Sequence, residues 1–408
     1  MELAIESVGG RGDGVAAGPV YVPFTLPGER VRARLAGERG ELLEVLAASP
    51  ERITPVSPHY GECGGCALQH WAHAPYLAWK REQVRLALAR ERIETEILPS
   101  VAAPPGSRRR LALHARRGTA EAARIGFKAR GGWRLVEVEV CPIADPRLQA
   151  AFPGLRRLAA PLFEHPKSAP TLHVTWTDTG LDVDITGVER RSGGLSADSR
   201  LRVAEAAQAL DAARVTLAGE LLFGQRPPLV RFGKAVVALP PGGFLQAAPQ
   251  AEAAMAAFIA EALGGAVRVA DLFCGAGTFT FPMAEATPVH AADGAPDAVG
   301  ALAAAAVTPG LKPITTEVRD LFREPLSPAE LRPFDAAVFD PPRAGAAEQA
   351  HAFAASGLTR VVGVSCNPST FARDARALVD GGFRLERVLP VDQFLWSPHV
   401  ELVGLFAR

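Results

Sequence analysis

Val267-Arg-Val-Ala-Asp-Leu-Phe-Cys-Gly-Ala-Gly-Thr-Phe-Thr280 runs from a β-branched apolar stretch, through two closely spaced glycines, into residues that suit a helix. A strand that turns so tightly into a helix is the opening unit of a doubly wound α/β sheet. Its turn lies at the carboxyl edge, where such sheets bind ligands. Gly275 and Gly277 let backbone N–H groups approach a ligand closely. A dinucleotide fingerprint would place a third glycine where Thr280 stands, so pyrophosphate is not the expected guest.

Outward from this stretch the same punctuation recurs. Val289-His-Ala-Ala-Asp293 reads as the next strand, and its terminal acid is placed for ribose hydroxyls. Asp320, after another expected strand, would lie beside a purine ring. The form Asp271-x-x-x-Gly275-x-Gly277 with these acids suits S-adenosylmethionine. Phe334-Asp-Ala-Ala-Val-Phe-Asp340-Pro-Pro-Arg343 then sets an acid and two prolines at a strand end. Val361-Val-Gly-Val-Ser-Cys366-Asn-Pro368 sets a thiol at the next one, because Pro368 stops the ladder. A thiol there is either a small buried hydrophobe or a nucleophile with a lowered pKa. Glu401 opens the last strand, His399-Val-Glu-Leu-Val-Gly-Leu-Phe406, and beside a nucleophile it is a candidate base.

The first 53 residues look all-β, with Gly-rich turns between short alternating strands, as in a small OB-like barrel. Residues 54–243 read as a mixed α/β region and 244–408 as the ligand-binding domain. Within the middle region, Cys63-Gly-Gly-Cys66 can fold two thiolates onto one centre, and Cys141 could be a third. An iron–sulfur cluster, a structural zinc using His59 or His70, and a pair that binds nothing all remain open. Between Lys80 and Arg134 there are 14 Lys+Arg against 5 Asp+Glu, including Arg108-Arg-Arg110, with Trp133 near the end. Such clustering suits a phosphate backbone or, more blandly, a solvated face.

The 408 residues imply two or three domains, and a 48% hydrophobic content is ample for their cores. Net charge is zero, so only the local basic block points to a polyanion. Five cysteines, an odd number, argue against a disulfide framework. With no long apolar run and no signal-like start, a cytoplasmic monomer without membrane contact is expected.

With these residues assembled, the chain resembles the RNA uracil-5 methyltransferases that use S-adenosylmethionine, especially the 23S rRNA branch. Ser365-Cys-Asn-Pro-x-Thr-x-Ala-Arg-Asp374 is the most specific match. The N-terminal barrel looks like a TRAM domain and Cys63-Gly-Gly-Cys66-x-x-Gln-His70 like the family's cluster loop. The resemblance implies a class I methyltransferase domain with cofactor contacts at Gln246, Phe273, Thr278, Asp293, Asp320 and Asp340. It implies Cys366 as nucleophile, Glu401 as base and Asp340 beside the reaction centre. The family's [4Fe–4S] cluster uses four cysteines, and the first of those positions is Ser57 here, leaving Cys63, Cys66 and Cys141. The implied partner is RNA, with rRNA ahead of the T-loop uridine of tRNA. An inactive RNA-binding or redox-sensing relative is the reading from another class, which the full Cys366, Asp340 and Glu401 set disfavours.

Overall fold

The computed structural model describes residues 1–189 and 194–408. Strands β1 (Glu2–Val8), β2 (Asp13–Ala16), β3 (Val20–Pro23), β4 (Arg30–Ala36) and β5 (Arg39–Ala47) close into a barrel in the order β1-β2-β3-β5-β4. Period-two patterning explains the closure: Val31 and Ala33 fill the interior while Arg32 and Arg34 point outward to Glu44 and Glu41. A closed barrel leaves no unpaired edge. Buried Glu29 anchors the chain leaving the barrel, accepting from Arg52 Nη2 at 2.8 Å and from the Leu26 N–H at 2.8 Å.

Helix α1 (His73–Arg90) and the short strands β6 (Glu96–Ile97) and β7 (Val101–Ala102) come next. The middle of the chain then builds a seven-stranded sheet from β8 (Arg110–Arg116), β9 (Arg124–Lys128), β10 (Leu135–Glu137), β11 (Thr171–Thr177), β12 (Gly180–Thr186), β13 (Ala212–Leu217) and β14 (Glu220–Gly224). Its order is β10-β9-β8-β11-β12-β13-β14. Helices α2 (Pro146–Ala150), α3 (Phe152–Ala159) and α4 (Ala197–Ala209) accompany it, and Leu155, Leu158 and Val203 join its core. Ser196 caps α4 by accepting from the Ser199 N–H.

The hairpin β15 (Leu229–Phe232) and β16 (Ala235–Ala238) leads into the last part of the chain. There, α5 (Pro249–Ala262), β17 (Val269–Leu272), α6 (Thr280–Ala284), β18 (Val289–Asp293), α7 (Pro296–Ala305), β19 (Ile314–Val318) and β20 (Ala336–Phe339) alternate. They are followed by α8 (Ala347–Ala354), β21 (Arg360–Ser365), α9 (Pro368–Asp380), β22 (Arg384–Asp392) and β23 (Glu401–Ala407). The sheet runs β19-β18-β17-β20-β21-β23-β22-β6, with β7 also on β22. Strands β17 to β21 are parallel, and β17, β20 and β21 are buried as the inner strands of such a sheet should be, whereas β23 is antiparallel to both neighbours.

This sheet recruits more of the chain than residues 244–408. Strands β6 and β7 pair in parallel with β22, and Val84, Leu88, Ile93 and Ile97 share a core with Phe371, Leu378 and Val388. The β15–β16 hairpin also packs here, with Phe232 stacked on Phe281 at 6.5 Å. Residues from α1 to β7, and the hairpin, thus lie within the expected middle domain in sequence but with the C-terminal sheet in space. Lys80 on α1 rivets the arrangement. Fully buried, it donates to Asp392 and to the His399 carbonyl at 2.6 Å, and Tyr76 donates to Asp392 at 2.6 Å. Breaking such a buried pair strands a charge at a cost of about 3–5 kcal/mol.

Candidate active site

Strand order brings the scattered strand-end residues into one row. β17 lies where the order reverses, the point at which open α/β sheets leave a crevice. Its carboxyl end carries Phe273 and the two glycines. Across the edge on one side come Asp293, ending β18, and Asp320, following β19. On the other side come Asp340 after β20 and Cys366 after β21. Because β23 is antiparallel, its beginning lies at this same edge, with Leu402 opposite Ser365. Glu401 therefore arrives beside Cys366. Gln246, Phe273, Thr278, Asp293, Asp320, Asp340, Cys366 and Glu401 all line one cavity of about 670 Å³.

The backbone of the glycine loop is shaped for a guest. Phe273 and Gly275 have φ of 60° and 53°, and Gly277 has φ of 97°. A Cβ on Gly277 would come within 2.5 Å of Phe281, so only glycine fits there. At Gly275 a Cβ would meet nothing within 4 Å, which leaves an open cradle over the loop. Asp293 Oδ2 accepts from the Gly275 N–H at 2.9 Å and Oδ1 from the Ala295 N–H at 2.8 Å, so the acid and the loop hold each other. Phe322 tilts against Phe273 at 5.3 Å beside Asp320, giving a half-exposed aromatic wall. These features fit a nucleoside whose ribose meets Asp293 and whose base lies against the aromatic pair.

The acid groups are not at their ordinary values. Burial, then the neighbouring Glu401 and Asp271 carboxyls, pushes Asp340 well up. Burial lifts Glu401 to about 7, opposed by a hydrogen bond from Gln393. Two carboxyls in one cavity resist being charged together. Cys366 differs from the sequence expectation of a lowered thiol: burial, Glu401 and Asp340 raise it, and Arg343 opposes them. A positive charge in the cavity would oppose these upward shifts.

Two other sequence expectations meet the structure. Arg108–Arg110 are not an open phosphate-binding patch, since their guanidinium groups join the central sheet to the catalytic one. Arg109 pairs with Glu252 and donates to the Gln246 carbonyl at 3.1 Å, and Arg110 donates to the Leu245 carbonyl at 2.8 Å. Arg108 stacks over Phe394 at 5.6 Å. Trp133, by contrast, is 78% exposed, with Lys128 Nζ 4.0 Å above its ring.

Cys63, Cys66 and Cys141 do meet, lining one small cavity with Ser57, His59 and Gln69. His70 lies outside this set; its Nδ1 faces the Tyr60 hydroxyl. Burial pushes Cys66 to about 12 and Cys141 to about 11, so all hold protons unless a metal displaces them. Gln69 Oε1 accepts from the Ser57 N–H at 2.9 Å, which fixes the amide and leaves buried Nε2, without a partner, beside the Cys66 sulfur. A stranded N–H donor against sulfur suits a thiolate better than a thiol. Among the described residues, no group of three or more His, Cys, Asp or Glu side chains is placed to hold a metal ion.

Comparison with known proteins agrees with this geometry. Residues 311–408 match the family model described as tRNA (Uracil-5-)-methyltransferase. A Caulobacter vibrioides protein described as an uncharacterized RNA methyltransferase is 62% identical over all of both chains. The 23S rRNA (uracil-C5)-methyltransferase RlmD of Chromohalobacter salexigens is 31% identical over 100% of this chain and 89% of its own. The chain belongs to the RNA (uracil-5-)-methyltransferase family. The fold of this methyltransferase is shared along its whole length with the Pyrococcus abyssi tRNA (uracil-54, C5)-methyltransferase, at TM-score 0.77, 22% identity and 100% coverage of both chains. Among the described residues, no helix of the methyltransferase is long and apolar enough to cross a membrane.

Sequence reasoning missed Gln393, Phe322 and Phe244 in the cavity wall. Gln393 carried no motif signal, because its side chain reaches Glu401 only through the pairing of β22 with β23, which sets Val391 opposite Glu401. The aromatic residues stand in loops, where no periodicity marks them.

Proposed function

We propose that this enzyme transfers a methyl group from S-adenosylmethionine to C5 of a uridine, in 23S rRNA first, through a covalent Cys366 adduct. The observation that carries the reading is the row of Asp340, Cys366 and Glu401, on adjoining strands, in the cavity that also holds the glycine loop. C5 of uracil is too weak a nucleophile to take a methyl group unaided. The Cys366 thiolate adds to C6, and the electron pair of the C5–C6 double bond moves to C5 and O4 as an enolate. When bound, S-adenosylmethionine supplies an electrophilic methyl carbon on a cationic sulfur, whose charge favours ionised Cys366 and Glu401. C5 bonds to that carbon as the methyl–sulfur bond breaks. Glu401 then takes the C5 proton, the double bond re-forms, and the Cys366–C6 bond breaks to release thiolate. The target base must leave its stack to be reached from both sides.

The full-length relative at 31% identity names rRNA, while the likeness to the tRNA enzyme is one of fold, which favours rRNA. The expected result is transfer of labelled methyl from the cofactor to 23S rRNA and, in cells lacking the gene, loss of one rRNA 5-methyluridine. Loss confined to tRNA would move the substrate, and transfer to neither RNA would defeat the reading. The barrel and the exposed Trp133–Lys128 tip are the proposed RNA contacts outside the cavity. A base stacked on Trp133 would add roughly 1–3 kcal/mol.

Cys63, Cys66 and Cys141 are proposed to hold an iron–sulfur cluster, with Ser57 at the remaining corner. Such a group would brace the loop, since the methyl transfer moves no electrons. Anaerobically purified protein is expected to contain iron and sulfide that are lost in air, and Ser57→Cys should slow that loss without changing turnover. Stoichiometric zinc, or neither metal, in anaerobic protein would overturn the assignment.

A further inference from the structure

Gln393 follows the last residue of β22 and is 4% exposed. Its single amide makes three hydrogen bonds. Oε1 accepts from the Ala247 backbone N–H at 2.9 Å, and Nε2 donates to Glu401 Oε2 at 2.7 Å and to Gln246 Oε1 at 2.8 Å. Gln246 Nε2 donates onward to Asp340 Oδ2 at 3.2 Å. A backbone N–H can only donate, so Ala247 decides which end of the Gln393 amide is oxygen. The orientation of Gln246 follows, because turning either amide end for end would set donor against donor. The chain therefore has one direction, from Ala247 to Asp340, with a branch to Glu401.

That direction distinguishes the two oxygens of Glu401. Oε2 already accepts from Gln393, and a proton placed on it would face an N–H. Oε1 is the oxygen left to accept one.

We propose that Gln393 is the positioning residue for proton abstraction: it holds Glu401 Oε2, leaves Oε1 to take the C5 proton, and fixes the amide of Gln246 in the same act. This role rests on the covalent methyl transfer proposed above and deepens it. Its hydrogen bond also opposes the burial that pushes Glu401 upward. Without the bond, the base should ionise only at higher pH. Gln393 supplies the side-chain hydrogen bond to Glu401, while the Glu401 carboxylate helps push Asp340 and Cys366 upward and Arg343 acts on Cys366.

The test uses full-length Gln393→Met, which keeps length but loses the donor, and Gln393→Glu, which keeps shape but adds like charge. Turnover on ordinary RNA, and the fraction of enzyme quenched as a methylated Cys366 adduct, are measured from pH 6 to 9.5. In both variants the acid limb of turnover should move up by about one pH unit, roughly tenfold at fixed pH on that limb. The adduct should accumulate at pH 7 and disappear at pH 9. A merely structural role would scale turnover equally at every pH. An unshifted limb in either folded variant overturns the proposal, and Gln393→Glu decides if the apolar variant fails to fold. A parallel trap with 5-fluorouridine RNA separates the two readings. Wild-type adduct with unshifted variants removes only the role of Gln393, whereas no wild-type adduct removes the covalent mechanism and this role together.

Discussion

Cys366→Ala is expected to abolish methyl transfer and adduct formation while leaving the protein folded. The side chain is half-buried at a strand end, and the change deletes one sulfur atom, so the cost in stability should stay near 1 kcal/mol. The cost in rate should be on the order of 10⁴-fold or more, because no later step can proceed without the enolate. RNA carrying 5-fluorouridine at the target makes the assignment decisive. Fluorine cannot leave as a proton, so wild-type enzyme should remain bonded to it after methyl transfer. The cavity holds a second thiol, Cys274, and the two environments differ. Cys274 is 7% exposed, and burial with Asp271 and Asp293 pushes it well above the ordinary thiol range. Cys274→Ala should therefore keep the trapped adduct. Adduct retained by Cys366→Ala and lost by Cys274→Ala would exchange their roles.

The second large effect is expected at Glu401. A base that acts after methyl transfer is not needed for what precedes it. Glu401→Gln should bind cofactor, attack ordinary uridine and methylate it, then stall as a covalent complex, with turnover down by roughly 10²–10⁴-fold. The pH dependence has a definite sign. Glu401 must be ionised to accept the proton, and burial lifts it to about 7. Turnover of the wild type should thus fall as pH drops through about 7, and the stalled adduct should grow in the same interval. In Glu401→Gln that acid limb should be missing. A folded variant that neither attacks nor methylates would instead show Glu401 placing the substrate.

The contrast between what the chain reveals and what it conceals has a physical origin. Strand ends such as Asp293, Asp340 and Cys366 are legible because a short apolar run followed by Gly, Pro or Asp has few alternatives. Arg32 and Arg34 declare the outer face of their strand by spacing alone. Arg108–Arg110 mislead because an arginine fork spent on the carbonyls of Leu245 and Gln246 looks, in sequence, the same as one offered to phosphate. Strands β6 and β7 are two residues each, too short for any periodicity to register. Gln393 is concealed by topology: its hydrogen bond to Glu401 exists only once β23 lies between β21 and β22.

The rivet between Lys80 and Asp392 joins residues 312 apart in the chain. A ribosome therefore delivers one half of the catalytic sheet's edge long before the other. The barrel and the middle sheet can each close during synthesis, since their strands are local. Helix α1 cannot finish packing so early: Val84 and Leu88 share a core with Phe371, Leu378 and Val388, which emerge late. That stripe lacks its late partners until they are made, and exposed apolar surface of this kind is prone to association. Glu401 comes after every other residue that lines the cavity. A chain that stops short of Glu401 carries Cys366 without its proposed base, so methylation competence should not begin before Glu401 has been made.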